Sequence, residues 1–421
     1  MTDEHIRELF RELAEPVPPP RVHTTAGLWQ RARRRRRRRR VGAAAAALAL
    51  AVTTVGVLDL LRSMEPPPTA SAQSAPGSRR GTIEVDGYRV DVAPRPNDEV
   101  RLPRIPTRLP DSKTVDPSTA VPLSAEPVTE ALALIQPDND VVYVLGADHR
   151  LRHLDTVSLL DVTDSAGGVQ RPLDASSLSP DGRRAAFAQP NAVVIVDLTT
   201  GAHQRVRHHG RLENVRWLSD STRLVAEGAD RSVLIDVTKP AAPTLGYLDG
   251  GFDWVSESSQ SPMVNPTRLA IDPHSREPEL VDQGPGQTAS AQPLPRLGKV
   301  ISEWSGGGWL HGSRIARSAH TPVDGGIGAR SGPGDISIVL GSTTGRIVRA
   351  LLFPFEAPGI QPRLRSCCPV VGWLDASTVL LLSRTPTTTR LLAWDIDYGR
   401  LGFVTELPAN ANFAFGTITG P

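Results

Sequence analysis

Short apolar strands bounded by turns, an internal repeat of about 40 residues and scarce helical periodicity predict an all-β fold. The architecture they imply over residues 81–421 is a six- or seven-bladed β-propeller of four-stranded antiparallel blades. Ahead of it, the sequence reads as a cytoplasmic segment with an amphipathic helix (1–40), one transmembrane helix (41–61) and a linker (62–80). The 38 prolines and 36 glycines are many for a helical protein and ordinary for a turn-rich β protein. A hydrophobic fraction of 39% excludes a multi-spanning membrane protein. Two cysteines exclude a disulfide framework and a cysteine-rich zinc module.

The first element is a helix over residues 3–15. Thr2 can cap it, and Ile6, Leu9, Phe10 and Leu13 recur at helical spacing on one face. Pro16 and Pro18 to Pro20 end it. A helix of about 12 residues is marginal alone in water, so its apolar stripe needs a surface. Two surfaces stand open: the membrane beside the arginines that follow, or a cytoplasmic partner docked on the stripe.

Those arginines are Arg33, Arg34, Arg35, Arg36, Arg37, Arg38, Arg39 and Arg40, with Arg31 just before them. Val41 to Leu58 follow without a charge, and Asp59, Leu60 and Leu61 extend the run to 21 residues. At about 1.5 Å per residue this spans roughly 30 Å, the thickness of a hydrocarbon core. The arginines hold the N-terminus on the cytoplasmic side and place the C-terminal mass outside. Two other readings compete: a buried core helix, which eight consecutive arginines disfavour, and a cleaved secretory signal ending at Ala70-Ser71-Ala72. The signal reading requires a charged leader 40 residues long, beyond the usual length.

This arrangement resembles membrane-anchored regulators of actinobacteria, some of which are anti-sigma factors. The resemblance covers residues 1–62 and implies a sigma factor as a candidate cytoplasmic partner. The His-x₃-Cys-x₂-Cys zinc signature of one large anti-sigma group is absent, since the two cysteines are Cys367 and Cys368.

Charge divides along the same line. Residues 1–62 carry 13 arginines against six acidic residues, a net +7, and the remainder is −5. A mildly acidic bulk gives no support to nucleic-acid binding. The Arg run lies against an apolar span, which assigns it to topology and to anionic lipid headgroups. The linker, from Glu65 through Pro66-Pro67-Pro68 to Ser78, is rich in Pro, Ala and Ser and reads as an extended tether.

From Gly81 onward the strands begin. Gly81 to Val92 reads as a hairpin about Asp86-Gly87. The clearest repeat is Leu178-Ser179-Pro180-Asp181-Gly182 with the strand to Phe187, then Val193 to Asp197 and a turn ending at Gly201. A fainter copy begins at Pro137-Asp138, 43 residues earlier, and another has Asp220, 39 residues after Asp181. Later copies start at Gly308 and Val371, with Trp309 and Trp373 in them, and a degenerate one runs from Phe252 to Ile271. Six units are located. The Gly81–Val92 hairpin and residues 100–125 are read as a seventh unit or as the strand that closes the ring.

The 178–201 unit resembles the Pro-Asp β-propeller repeat of TolB-like proteins, and the chain is similar to extracytoplasmic WD40-like proteins. The likeness is specific at 178–201, fair at 214–237 and 371–396, and weak elsewhere. It implies structural roles for Pro180, Asp181 and Gly182 in one turn and for Asp197 and Gly201 around the third strand. Trp217, Trp309 and Trp373 share a first-strand position and are read as core between blades.

No nucleophile elbow, phosphate-binding loop, His-Glu-x-x-His or EF-hand loop occurs. No catalytic residue, metal ligand or cofactor is assigned. His203, His208 and His209 lie among arginines that disfavour a cation. Cys367-Cys368 fits a vicinal disulfide, two packed thiols or a redox switch.

The function expected is therefore non-enzymatic: a membrane-anchored extracytoplasmic propeller binding a protein, glycan or small ligand. One alternative is a signalling regulator whose N-terminal helix restrains a cytoplasmic partner. A second is an extracytoplasmic enzyme, which requires a cluster of His, Asp or Glu with shifted pKa values at one mouth of the channel.

Overall fold

The computed structural model describes residues 81–420, with breaks at 86, 111–115, 139, 164–166, 229–230, 240–242, 250–252, 259–264, 272–277, 295–299, 323–333, 355–362 and 365. The stripe Ile6, Leu9, Phe10 and Leu13, the run Arg33–Arg40, the span 41–61 and the linker lie outside the described residues. Among the described residues no helix is long and apolar enough to cross a membrane.

Six sheets of three or more strands follow one another along the described chain. Sheet I is Ala131–Gln136, Tyr143–Gly146 and Leu151–His153, with Val121–Pro122 at its outer edge and Asn412–Phe415 at its inner edge. Sheet II is Arg184–Gln189, Ala192–Asp197 and His203–Arg207. Sheet III is Leu212–Trp217, Arg223–Gly228, Arg231–Asp236 and Thr244–Asp249. Sheet IV is Thr267–Ile271, Pro278–Asp282 and Ser290–Pro293. Sheet V is Glu303–His311, Arg314–His320, Gly334–Gly341 and Ile347–Pro354, and sheet VI is Val370–Asp375, Thr378–Arg384, Thr389–Asp395 and Arg400–Leu407.

The all-β propeller expected from the sequence is the architecture found, but the count of six or seven uniform four-stranded blades is corrected. Only sheets III and VI have four strands and no more. In sheets II and IV the innermost strand shrinks to single bridges, Leu178 with Ala185 and Trp254 with Arg268. Sheet V gains Val255–Glu257 on its inner edge and the Thr82–Val85/Tyr88–Val92 hairpin on its outer edge. The closing strand is corrected too. Neither that hairpin nor residues 100–125 close the ring. Asn412–Phe415, near the C-terminal end, pairs antiparallel with Ala131–Gln136 and does so. Each outer addition is parallel to the strand it joins, which caps an otherwise open edge.

Neighbouring sheets pack face to face, so middle strands are covered on both sides. That is why Ala192–Asp197 is a continuous apolar run, buried from Ala192 to Val196, instead of an alternating one. The outer strand His203–Arg207, covered on one side, alternates. Distinct buried clusters fill the joints between sheets. The one between II and III includes Val193, Val215 and Trp217. Among the described residues the joint between III and IV has the smallest cluster, with Leu218, Val225, Leu234, Leu248 and Trp254.

The repeated aspartates hold turns. Asp181, Asp220 and Asp375 each accept a backbone N–H two residues on, as do Asp197, Asp236 and Asp395. Gly182 has φ +68°, and a Cβ there would lie 2.4 Å from the Ala131 carbonyl oxygen of the next sheet.

Candidate functional site

The inner strands surround two cavities at opposite ends. Val370 lines one and Asp375, at the other end of the same strand, lines the second; Trp309 and Val371 line both. The first, of about 560 Å³, opens where chains enter the inner strands; the other, of about 320 Å³, lies at their exits. Both have the size of small-molecule sites.

The smaller cavity takes residues from every sheet or its inner segment. Trp217, Trp309 and Trp373 form part of its wall and are 1%, 8% and 8% exposed. Their indole N–H groups tie neighbours together: Trp217 donates to the Ser177 carbonyl and Trp373 to the Trp309 carbonyl. Pro180 lines the same mouth; Asp181, Gly182, Asp197 and Gly201 stand in the turns described above or beside them.

Glu257, Ser258 and His311 also converge here. Glu257 Oε2 accepts the Ser219 N–H at 3.1 Å, which links sheet III to the Val255–Glu257 strand on the inner edge of sheet V. Its Oε1 is buried without a hydrogen-bond partner among the described residues. Burial pushes the Glu257 carboxyl up to about 7, against the downward pull of the Ser219 bond. The Ser258 hydroxyl and His311 Nδ1 are 2.5 Å apart, and burial pushes the His311 imidazole down. Asp375 opposes that shift through its charge, but among the described residues no carboxylate hydrogen-bonds His311.

A carboxyl whose folded pKa is raised stabilises the fold only while it is protonated. The contribution of Glu257 is complete below its ordinary value near 4.5 and is lost as pH rises through about 7. A shift of this size corresponds to about 3 kcal/mol. Urea denaturation from pH 4 to 8 should show this fall in the wild type, and Glu257→Gln should flatten it. An unchanged slope in Glu257→Gln would place the titration elsewhere.

The larger cavity has a different chemistry. Arg171, Arg216 and Arg384 line it against a single carboxylate, Asp174. Arg216 is buried and bridges three carboxylate oxygens: Asp174 Oδ2 at 2.8 Å and both Glu227 oxygens at 3.3 Å. Glu227 also accepts the Trp254 N–H at 3.0 Å. Burial works against the Arg216 charge, yet Glu227 and Asp174 together raise its pKa; burial raises that of Glu227. Gly307 permits this packing, because a Cβ there would meet the guanidinium carbon at 2.7 Å.

Ser366, Pro369 and Val370 form another wall of this cavity, and between them Cys367 and Cys368 are joined as a vicinal disulfide. Both cysteines are buried. Asp335 accepts the Cys367 N–H at 2.7 Å and pairs with His320 Nδ1 at 2.8 Å. Burial raises the Asp335 pKa, and His320 opposes it.

Sequence reading singled out the tryptophans and the cysteines but not Glu257, Ser258, His311, Arg216 or Arg384. Arg216 and His311 stand inside the repeat copies, next to Trp217 and two residues after Trp309, and that offset was the one available signal.

No known protein-family model matches the chain, and no curated protein matches it. Among solved structures it is similar to TolB from Acinetobacter baumannii at 13% identity, TM-score 0.44, over 69% of this chain and 67% of that one. It is also similar to the β-propeller domain of the Trilobed protease from Pyrococcus furiosus, at 9% identity, TM-score 0.37, over 66% and 82%. A third likeness is to the acylaminoacyl peptidase of Pyrococcus horikoshii, at 11% identity, TM-score 0.37, over 66% of this chain and 45% of that one. Likenesses this distant go no further than the fold, which stands on the strand pairing of this chain.

Proposed function

We propose that this chain is a membrane-anchored propeller that binds a ligand in its channel and catalyses no reaction. The observation that carries the reading is the pair of cavities at the two ends of the inner strands, into which tryptophans, arginines and a raised-pKa carboxyl converge. In this reading residues 41–61 cross the membrane, Arg33–Arg40 stay on the cytoplasmic side beside the lipid headgroups, and the propeller stands outside on its linker. Occupancy of the channel is reported inward through Ile6, Leu9, Phe10 and Leu13, which dock a cytoplasmic partner such as a sigma factor. A second reading, an extracytoplasmic enzyme, draws on the shifted groups Glu257 and His311 and on Ser258 beside His311.

The test uses the full chain in detergent. Fractions of the source cell envelope are screened for a component that raises its Tm. One component is expected to bind and to be recovered chemically unchanged. Leu364→Trp or Ala376→Trp, which narrow the larger or the smaller mouth, should weaken it about tenfold or more. Binding indifferent to both substitutions overturns the channel reading, and recovery of a converted product replaces it with the enzyme.

A further inference from the structure

Arg384 ends the second strand of sheet VI, and its side chain lines the larger cavity. The other two arginines there are paired: Arg171 with Asp138 at 2.7 Å, and Arg216 with Asp174 and Glu227. Arg384 is different. Among the described residues its guanidinium has no ion pair or hydrogen bond, and its Nε is fully buried without a partner. Burial alone lowers its pKa, with no carboxylate acting on it. The residue is half-buried, and its Nε is held away from water without a counter-charge, which disfavours the fold.

The surroundings describe what would complement it. Trp309, Val370 and Phe413 turn largely buried apolar edges to the cavity, Leu364 adds an exposed apolar wall, and Asn412 and Thr385 add polar groups. At Gly306, φ +68°, no atom lies within 4 Å of where a Cβ would be, so the backbone is open to an occupant.

We propose that this cavity binds an organic carboxylate with an apolar body. The carboxylate takes the planar fork of Arg384, and the body lies over Trp309 and Phe413. This rests on the channel-binding reading and deepens it by naming the ligand class. A guanidinium fork holds a carboxylate through two parallel N–H···O bonds, which an amide cannot match. The apolar edges separate such a ligand from inorganic phosphate, which would leave Trp309 and Phe413 without a contact.

Calorimetric titration of the full chain in detergent tests it with three probes: 3-phenylpropanoate, 3-phenylpropanamide and inorganic phosphate. The acid is expected to bind at least about tenfold tighter than either of the others, the difference one charge-assisted bond supports. Arg384→Met should remove that preference while leaving Tm unchanged or higher, and Arg384→Lys should retain part of it. Equal affinity for acid and amide overturns the carboxylate assignment and leaves channel binding in place. Preference for phosphate overturns it in the same way. Failure of all three probes to bind, or a fall in Tm in both Arg384 variants, overturns the site itself, and channel binding is then decided by the mouth-narrowing variants alone.

Discussion

A chain ending at Pro408 should lose cooperative unfolding altogether. The residues removed include Asn412–Phe415, the innermost strand of sheet I, which pairs Phe413 with Ile135 and Phe415 with Ala133. Phe413 and Phe415 are 2% and 5% exposed, and their rings stack at 6.1 Å. Both belong to the cluster between sheets VI and I, while Ala414 belongs to the cluster between I and II. One short strand therefore completes two joints. Deleting a buried Phe side chain costs about 3–5 kcal/mol by itself. Two of them, with the strand's ladder bonds, match the roughly 5–15 kcal/mol of total stability usual for a domain.

The effect should exceed that sum, because a propeller sheet buries its faces only against its neighbours. Opening one joint exposes two faces at once. Phe413→Ala should lower the urea midpoint by the equivalent of about 3–5 kcal/mol and keep a single transition. The truncated chain should show no sigmoidal transition in tryptophan fluorescence. A peptide of residues 409–421 added in trans should restore one, since an exposed strand edge accepts an added strand. A truncated chain that unfolds cooperatively within about 1 kcal/mol of the full one would show that closure is dispensable.

The parts of this ring that the sequence announces are those set by local chemistry. Asp181 and Asp197 mark turns because an aspartate accepts its own backbone N–H two residues on, and Gly182 marks one because its φ is positive. The continuous apolar runs announce middle strands. What stays hidden is whatever depends on closure. Asn412–Phe415 carries no sign that its partner lies at Ala131–Gln136, and an N-terminal hairpin is an equally good candidate on pattern alone. The site is hidden for the same reason. Ser258 and His311 meet across 53 residues, and Arg384 is one arginine among 44 until the ring shows that, among the described residues, it is the arginine of its mouth without a counter-charge. Cys367-Cys368 was legible as an unusual pair, and its bonding required the backbone.

Arg216→Met should cost about 3–5 kcal/mol, the penalty for leaving a buried charge without its partner. The group stranded is Glu227, 1% exposed, whose remaining described bonds include the Trp254 N–H at 3.0 Å. This loss falls at the joint between sheets III and IV, where among the described residues the apolar cluster is smallest and Glu227 carries a hydrogen bond across to Trp254. Burial raises the Glu227 pKa, and Arg216 is the main force pulling it back. Without Arg216 that pKa rises further, so the variant should be most stable at acid pH and weaken as pH rises. Removing both charges removes the cause: Arg216→Met with Glu227→Leu should recover part of the loss, a coupling of about 1–3 kcal/mol in the double-mutant cycle. Urea midpoints of the four proteins at pH 5 and pH 8 measure this. If the double variant loses the sum of the two single losses at both pH values, the pair is not coupled. The stability of the III–IV joint would then have to come from the packing of Trp254 and Leu248 instead.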